Sequence, residues 1–121
     1  MASISRWFEI STTDFDRAIA FYSALIGKQL EKVPGAFNYA FFPMEEMGSG
    51  GALQQVDGYE PSAQGTIIYL YLGDDLSEAL ARVEPAGGKV LVPKTLISPE
   101  FGYYAHFLDT EGNRIGLHSQ K

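Results

Sequence analysis

Asp14-Phe-Asp-Arg-Ala-Ile-Ala-Phe-Tyr-Ser-Ala-Leu-Ile-Gly27 and Asp75-Leu-Ser-Glu-Ala-Leu-Ala-Arg-Val-Glu-Pro-Ala-Gly-Gly88 are two versions of one pattern. In the first, Phe15, Ala18, Ile19, Tyr22, Leu25 and Ile26 recur at the 3.6-residue period of a helix, so Asp14–Ile26 carries one apolar stripe. Thr13 or Asp14 can accept from the unpartnered N–H groups of its first turn, and Gly27 supplies a left-handed stop. In the second, Leu76, Ala79, Leu80 and Val83 form the stripe of a helix over Asp75–Ala86. Asp75 and Glu78 make a D-x-x-E variant of the capping box, and Pro85-Ala-Gly-Gly88 ends the helix. A shift of 61 residues lays Asp14 on Asp75, Ala18 on Ala79, Ile19 on Leu80, Gly27 on Gly88, Lys28 on Lys89 and Leu30 on Leu91. Stripe, cap and stop agree in register, as a duplicated unit requires.

Working outward, each helix is embedded in strand-like segments bounded by Gly, Pro and Asp. Trp7–Ser11 precedes the first helix, and Gln29–Val33, Phe37–Met44 and Gly51–Val56 follow it. Thr66–Leu72 precedes the second, and Lys89–Val92, Gly102–Leu108 and Asn113–Ser119 follow it. The pattern predicts one α+β domain over 1–121 made of two tandem βαβββ units, about 1–58 and 65–121. They form a curved mixed sheet with the helices on its outer face. Asp57–Gly65, with two glycines and a proline, is the connection. A unit of about 60 residues leaves a sheet face bare, so the two must bury one another, within the chain or between chains.

Fifteen acidic residues against nine basic ones give a net charge of −6, and the basic ones are scattered, which speaks against nucleic acid as a partner. With no cysteine there are no disulfides, thiolate nucleophiles or thiolate zinc sites. The start carries no apolar signal core and no run approaches about 18 apolar residues, so a cytoplasmic protein without a membrane partner is expected. No glycine-rich phosphate loop and no serine at a strand-to-helix elbow appears.

The tandem units resemble the vicinal oxygen chelate superfamily, which includes glyoxalase I, bleomycin-resistance proteins and extradiol dioxygenases. The resemblance is carried by Asp14–Tyr22 with Gly27, by Asp75–Gly88, and by Phe107-Leu-Asp-Thr-Glu-Gly-Asn-Arg-Ile115, and it covers nearly the whole chain. It implies a cupped sheet face. Relatives seat a divalent metal there on the first and last strands of each unit, usually with His or Gln early and Glu late. It also implies a homodimer. Aligned on the helices, the four positions here are Trp7, Ile68 (or Tyr69, were the turn one residue different), Gln55 and Gly116. Indole and alkyl groups offer a metal nothing, so no metal and no other cofactor is expected.

What remains is a candidate ligand cavity. Glu9 shares a strand face with Trp7, and His118 shares one with Gly116, so Glu9 and His118 are the candidate acid–base pair. Gly116 is expected to leave room for a ligand. Trp7, Gln55, Tyr69 and Tyr71 join it as candidate ligand-binding residues, and a flat aromatic or apolar organic molecule suits such walls. His106, among large apolar groups, reads as a structural side chain facing either the helices or the cup. Two loops, Pro43–Gly51 and Pro93–Gly102, are candidate lids. The functional expectation is a metal-independent small-molecule binding protein like the bleomycin-resistance branch. The alternative is a glyoxalase-type lyase or isomerase using Glu9 and His118, ahead of a metal-dependent glyoxalase or dioxygenase and of a regulatory partner domain.

Overall fold

The computed structural model describes residues 4–35, 37–45 and 50–121. Strand β1 (Trp7–Ser11) leads into helix α1 (Phe15–Ile26), then β2 (Asn38–Phe41) and β3 (Gly50–Gln55). Strand β4 (Tyr69–Leu70) leads into α2 (Leu76–Val83), then β5 (Lys89–Ser98), β6 (Gly102–Leu108) and β7 (Arg114–Ser119). Both helices begin where their caps predict. The Asp14 carboxylate accepts from Arg17 N at 3.1 Å, and Asp75 accepts from Ser77 N at 2.9 Å. Gly27 closes α1 at φ 82°, a conformation that costs a side chain with a Cβ dearly.

The architecture is α+β, with one mixed sheet in the order β1-β3-β2 and a second in the order β4-β7-β6-β5. Thus the expected sheet is divided in two: among the described residues no ladder joins β1 to β4. The parallel β1–β3 pairing recurs as β4–β7, and each last strand pairs antiparallel with the one before it. The segment Gln29–Val33 is not a strand but a single bridge, Lys32 to Ala40, because Pro34 and Gly35 end the pairing at once. In the second unit the opposite happens. The expected lid Pro93–Gly102 is largely sheet, since β5 runs on to Ser98 and pairs with β6. Pro93 is tolerated because β5 is an edge strand and the register slips between Val92 and Thr95, where no N–H is required. Of the other expected lid, residues 46–49 lie outside the described residues.

The helices pack on each other and on the apolar faces of the sheets. Phe15, Ala18, Ile19, Tyr22 and Leu25 from α1 and Leu76, Ala79 and Val83 from α2 meet Ile10, Ala40, Leu53, Leu70, Ala105, Phe107, Ile115 and Leu117 in one core. Because that core is shared, the two units bury one another within the chain. Polar groups fasten the seam. The Tyr22 hydroxyl donates to Asp109 Oδ2 at 2.7 Å, Arg82 Nε to the Leu25 carbonyl at 2.9 Å, and Asn113 Nδ2 to the Ser11 carbonyl at 2.8 Å. Glu111, its side chain fully buried, accepts from Thr13 N, Asp14 N and Arg17 Nε at 2.9, 2.8 and 2.8 Å. Asp109, Glu111 and Asn113 of Phe107–Ile115 are therefore structural: Asp109 also accepts from Glu111 N and Asn113 N and so shapes the turn before β7.

Candidate functional site

Strand alternation divides β1. Phe8 and Ile10 join the core, while Trp7, Glu9 and Ser11 point to the opposite face. Their ladder partners in β3 are Gly50, Ala52 and Gln54, and Tyr39 and Phe41 of β2 stand opposite Gln54 and Ala52. The rings meet edge to face: Phe37 and Tyr39 at 5.5 Å, Tyr39 and Phe41 at 5.7 Å, Phe41 and Trp7 at 5.7 Å. The Trp7 indole N–H donates to the Tyr39 hydroxyl at 3.0 Å, which in turn donates to Glu9 Oε2 at 2.7 Å. Desolvation and the bond to Glu9 raise the Tyr39 phenol above its ordinary range, so it stays a donor at neutral pH.

Gln55 is on the other face. Its Oε1 accepts from Phe15 N at 2.9 Å and caps the first turn of α1. The amide on the aromatic face is that of Gln54, whose Nε2 donates to Ser11 Oγ at 2.9 Å while its Oε1 is buried with no partner among the described residues. A shift of one residue in a strand exchanges the faces.

In the second sheet Tyr69 is paired with Gly116, and Gly116 with His106. The glycine leaves no vacancy. A Cβ there would fall 2.3 Å from Tyr69 Cδ2, so the space holds the phenol ring itself. The Tyr69 hydroxyl lies 2.7 Å from His106 Nε2, and His106 Nδ1 lies 2.8 Å from Arg114 Nη1. A guanidinium only donates, so Nδ1 is the acceptor and, in the neutral ring, Nε2 carries the proton and donates to Tyr69. Burial first, and the Arg114 charge second, lower the His106 pKa below 6.5 and keep the ring neutral.

His118 stands opposite Tyr104, and its Nε2–H donates to the Phe101 carbonyl at 2.7 Å. Tyr71 is 64% exposed and donates to Asp74 Oδ1 at 2.7 Å. Tyr69 borders three hollows. One of about 470 Å³ lies between the sheets, lined also by Arg6, Trp7, Gly50 and Ile67. Another, about 420 Å³, is walled by Ile97, Tyr104 and His118. The third, about 380 Å³, is lined by Phe8, Phe42 and Tyr71. Glu9 lines a smaller one, about 160 Å³, with Ser11, Ser62, Asn113 and Arg114. The structure thus brings Trp7 to Tyr69 and Glu9 to Arg114. Glu9 and His118 line different hollows and share no hydrogen bond.

A family model described as the Glyoxalase/Bleomycin resistance protein/Dioxygenase superfamily matches residues 5–117. The chain belongs to this superfamily. Among solved structures it is similar to a glyoxalase/bleomycin resistance protein from Albidiferax ferrireducens T118, at 17% identity and TM-score 0.77, covering 98% of this chain and 100% of that one. A glyoxalase/bleomycin resistance protein from Streptomyces sp. CB03234 is 26% identical at TM-score 0.66, covering 93% and 97%. TnmS3, an antibiotic binding protein from the same Streptomyces, is 25% identical at TM-score 0.65, covering 99% and 98%. No curated protein matches at a significant level.

The superfamily's metal positions can now be placed by topology. Gln55 caps Phe15 N as Ser119 Oγ caps Leu76 N, so these two residues are equivalent. Three residues before them stand Ala52 and Gly116, whose parallel partners are Glu9 and Tyr69. The four positions therefore hold a carboxylate, a methyl, a phenol engaged with His106 and no side chain at all. That set does not fit a divalent ion, which needs several convergent N or O donors. Among the described residues no three His, Asp or Glu come together elsewhere.

His106, Arg114 and Gln54 are site residues that sequence reasoning passed over as site residues. Only strand parity with Gly116 pointed to His106 and Arg114, and that signal required the β6–β7 register.

Proposed function

We propose that the protein binds a small organic molecule with a flat apolar body, without a metal, in the hollows that meet at Tyr69. The observation that carries this reading is the row of aromatic rings on the free face of the sheets. Phe37, Phe41 and Tyr69 are 56%, 37% and 49% exposed on a face that no helix covers, and Trp7 and Tyr69 line a hollow large enough for a two- or three-ring compound. The antibiotic-binding relative at 25% identity supports the same class of ligand. The acid–base alternative has less behind it: Glu9 is engaged by Tyr39 and His118 by a main-chain carbonyl. Within this proposal Trp7, Tyr69, Tyr71 and Tyr104 are walls and Gly116 seats the Tyr69 ring. A second copy of the chain is the protein partner, covering exposed Leu96 and Phe101, and the location is cytoplasmic. No helix among the described residues is long and apolar enough to cross a membrane.

A thermal-shift screen of aromatic and heteroaromatic compounds, in chelator and then with added divalent ions, tests the reading. Trp7 is the single tryptophan, so its fluorescence reports directly on the hollow. A true ligand at a hundred times its Kd stabilises by about 2.7 kcal/mol, roughly 10 °C, and quenches Trp7 equally in chelator. Binding that requires added metal overturns the metal-free reading. A panel without any shift or quenching overturns ligand binding itself.

A further inference from the structure

The hydrogen bonds behind Tyr69 have a fixed direction. Arg114 donates to His106 Nδ1 at 2.8 Å, His106 Nε2–H donates to the Tyr69 oxygen at 2.7 Å, and that oxygen keeps its own proton. Among the described residues no acceptor takes it, and the half-exposed ring borders the three large hollows. Chains of this kind polarise their members, so the last O–H is a stronger donor than an isolated phenol. His106 is only 8% exposed, so the relay is held from within the sheet and not assembled by solvent.

We infer that Tyr69 donates a hydrogen bond to an acceptor oxygen of the bound molecule, with Arg114 and His106 as positioning residues that fix the direction of the proton. The inference rests on the ligand-binding reading and narrows it: the ligand is an aromatic compound bearing a carbonyl or carboxylate oxygen at one edge. The rest of its surface meets Ile97, Tyr104 and the Trp7 side of the hollow, which offer mainly apolar contact. A hydrocarbon of the same shape would leave the Tyr69 proton without an acceptor when water is displaced, and a polar group stranded in that way is costly.

The test uses a matched pair of probes, 2-acetylnaphthalene and 2-isopropylnaphthalene, titrated against the full chain by Trp7 quenching and calorimetry. The wild type is expected to prefer the ketone, and Tyr69→Phe to lose about fivefold of that preference, holding the hydrocarbon more tightly because no hydroxyl is then stranded and the ketone less tightly because its donor is gone. Arg114→Met frees Nδ1 and permits the reversed tautomer, in which Tyr69 donates to a bare Nε2. Its ketone preference is expected to fall toward that of Tyr69→Phe. ¹⁵N shifts of His106 are expected to show the Nε2–H form in wild type and Tyr69→Phe, and a mixture in Arg114→Met. A preference unchanged by Tyr69→Phe overturns the donor role while leaving ligand binding intact. An unchanged tautomer and preference in Arg114→Met overturn the relay. Binding of neither probe overturns the subsite, and when the wider screen also fails, the ligand-binding reading falls with it.

Discussion

Glu111→Gln is the sharpest test of how the two units are held together. Glu111 comes from the turn before β7, yet its Oε1 serves the first turn of α1 through Thr13 N and Asp14 N, and its Oε2 takes Arg17 Nε and Thr110 Oγ. Burial alone would raise this carboxyl. The Arg17 bond and the two backbone N–H groups outweigh it and hold the pKa at about 2 against an ordinary 4.5. That difference corresponds to about 3 kcal/mol at neutral pH. Arg17 is 49% exposed and regains water when its partner is lost, which reduces the expected cost to about 2 kcal/mol. A glutamine keeps one acceptor and turns an NH₂ toward the guanidinium, so the variant is expected to lose about 2 kcal/mol in urea unfolding and roughly 8 °C in Tm. The pH dependence has a definite sign. A depressed carboxyl contributes fully above its unfolded pKa and loses its contribution as pH falls from about 5 toward 2. The gap between wild type and variant, followed by circular dichroism, is therefore wide at pH 7 and narrows steadily toward pH 2 to 3. A gap below about 0.5 kcal/mol at pH 7, or one that does not change with pH, would refute the reasoning.

Three further outcomes follow from the same geometry. Gly116→Ala forces a Cβ into the Tyr69 ring and is expected to swing the half-exposed phenol away from His106, at a cost of about 1 kcal/mol. Loss of the Tyr69–His106 contact in NMR confirms it, and an undisturbed contact refutes it. Tyr22, buried beside Asp109, has a pKa raised well above 10 by burial first and by that carboxylate. Its contribution is present below pH 10 and is lost as the pH rises, so in an ultraviolet titration one of the seven tyrosines is expected to ionise only as the protein unfolds. Tyr22→Phe should cost about 1.5 kcal/mol in urea unfolding. His106 is expected to titrate below 6.5 in NMR, and Arg114→Gln to move it up by removing the neighbouring charge. Because its folded pKa is lowered, protonating it costs stability as pH falls below 6.5.

The fold was legible because its grammar is local. Caps at Asp14 and Asp75, the stop at Gly27 and the two apolar stripes depend on residues within a few turns of one another, and each is found where the pattern places it. Strand lengths were less legible, since they depend on partners distant in sequence. Nothing near Gln29 says that its pairing ends after one bridge, and Pro93 looks like a strand breaker until β5 is known to be an edge.

The site was harder to read because a duplication has no single offset. The helices are related by 61 residues, Phe15 to Leu76, and any alignment built on them carries that number into the strands. Topology assigns Glu9 to Tyr69, 60 apart, because the second unit has one more residue between strand and helix. It assigns Ala52 to Gly116 and Gln55 to Ser119, 64 apart, because the segment after α2 is three residues longer, accommodated by the bulged β5–β6 hairpin. An error of one or three residues is odd, and an odd error in a strand moves a side chain through the sheet. Hence Gln55 looked like a cavity residue and is a helix cap. Trp7 and Glu9 are two residues apart and share a face, so there it is the ladder register and not parity that moves the position from Trp7 to Glu9. The same arithmetic explains why the corrected positions suit a metal no better than the expected ones. Exchanging Trp7 for Glu9 adds one oxygen donor and exchanging Gln55 for Ala52 removes one, so the concave face still cannot complete a coordination sphere. What it offers instead is a phenol with a spare proton set in a wall of rings.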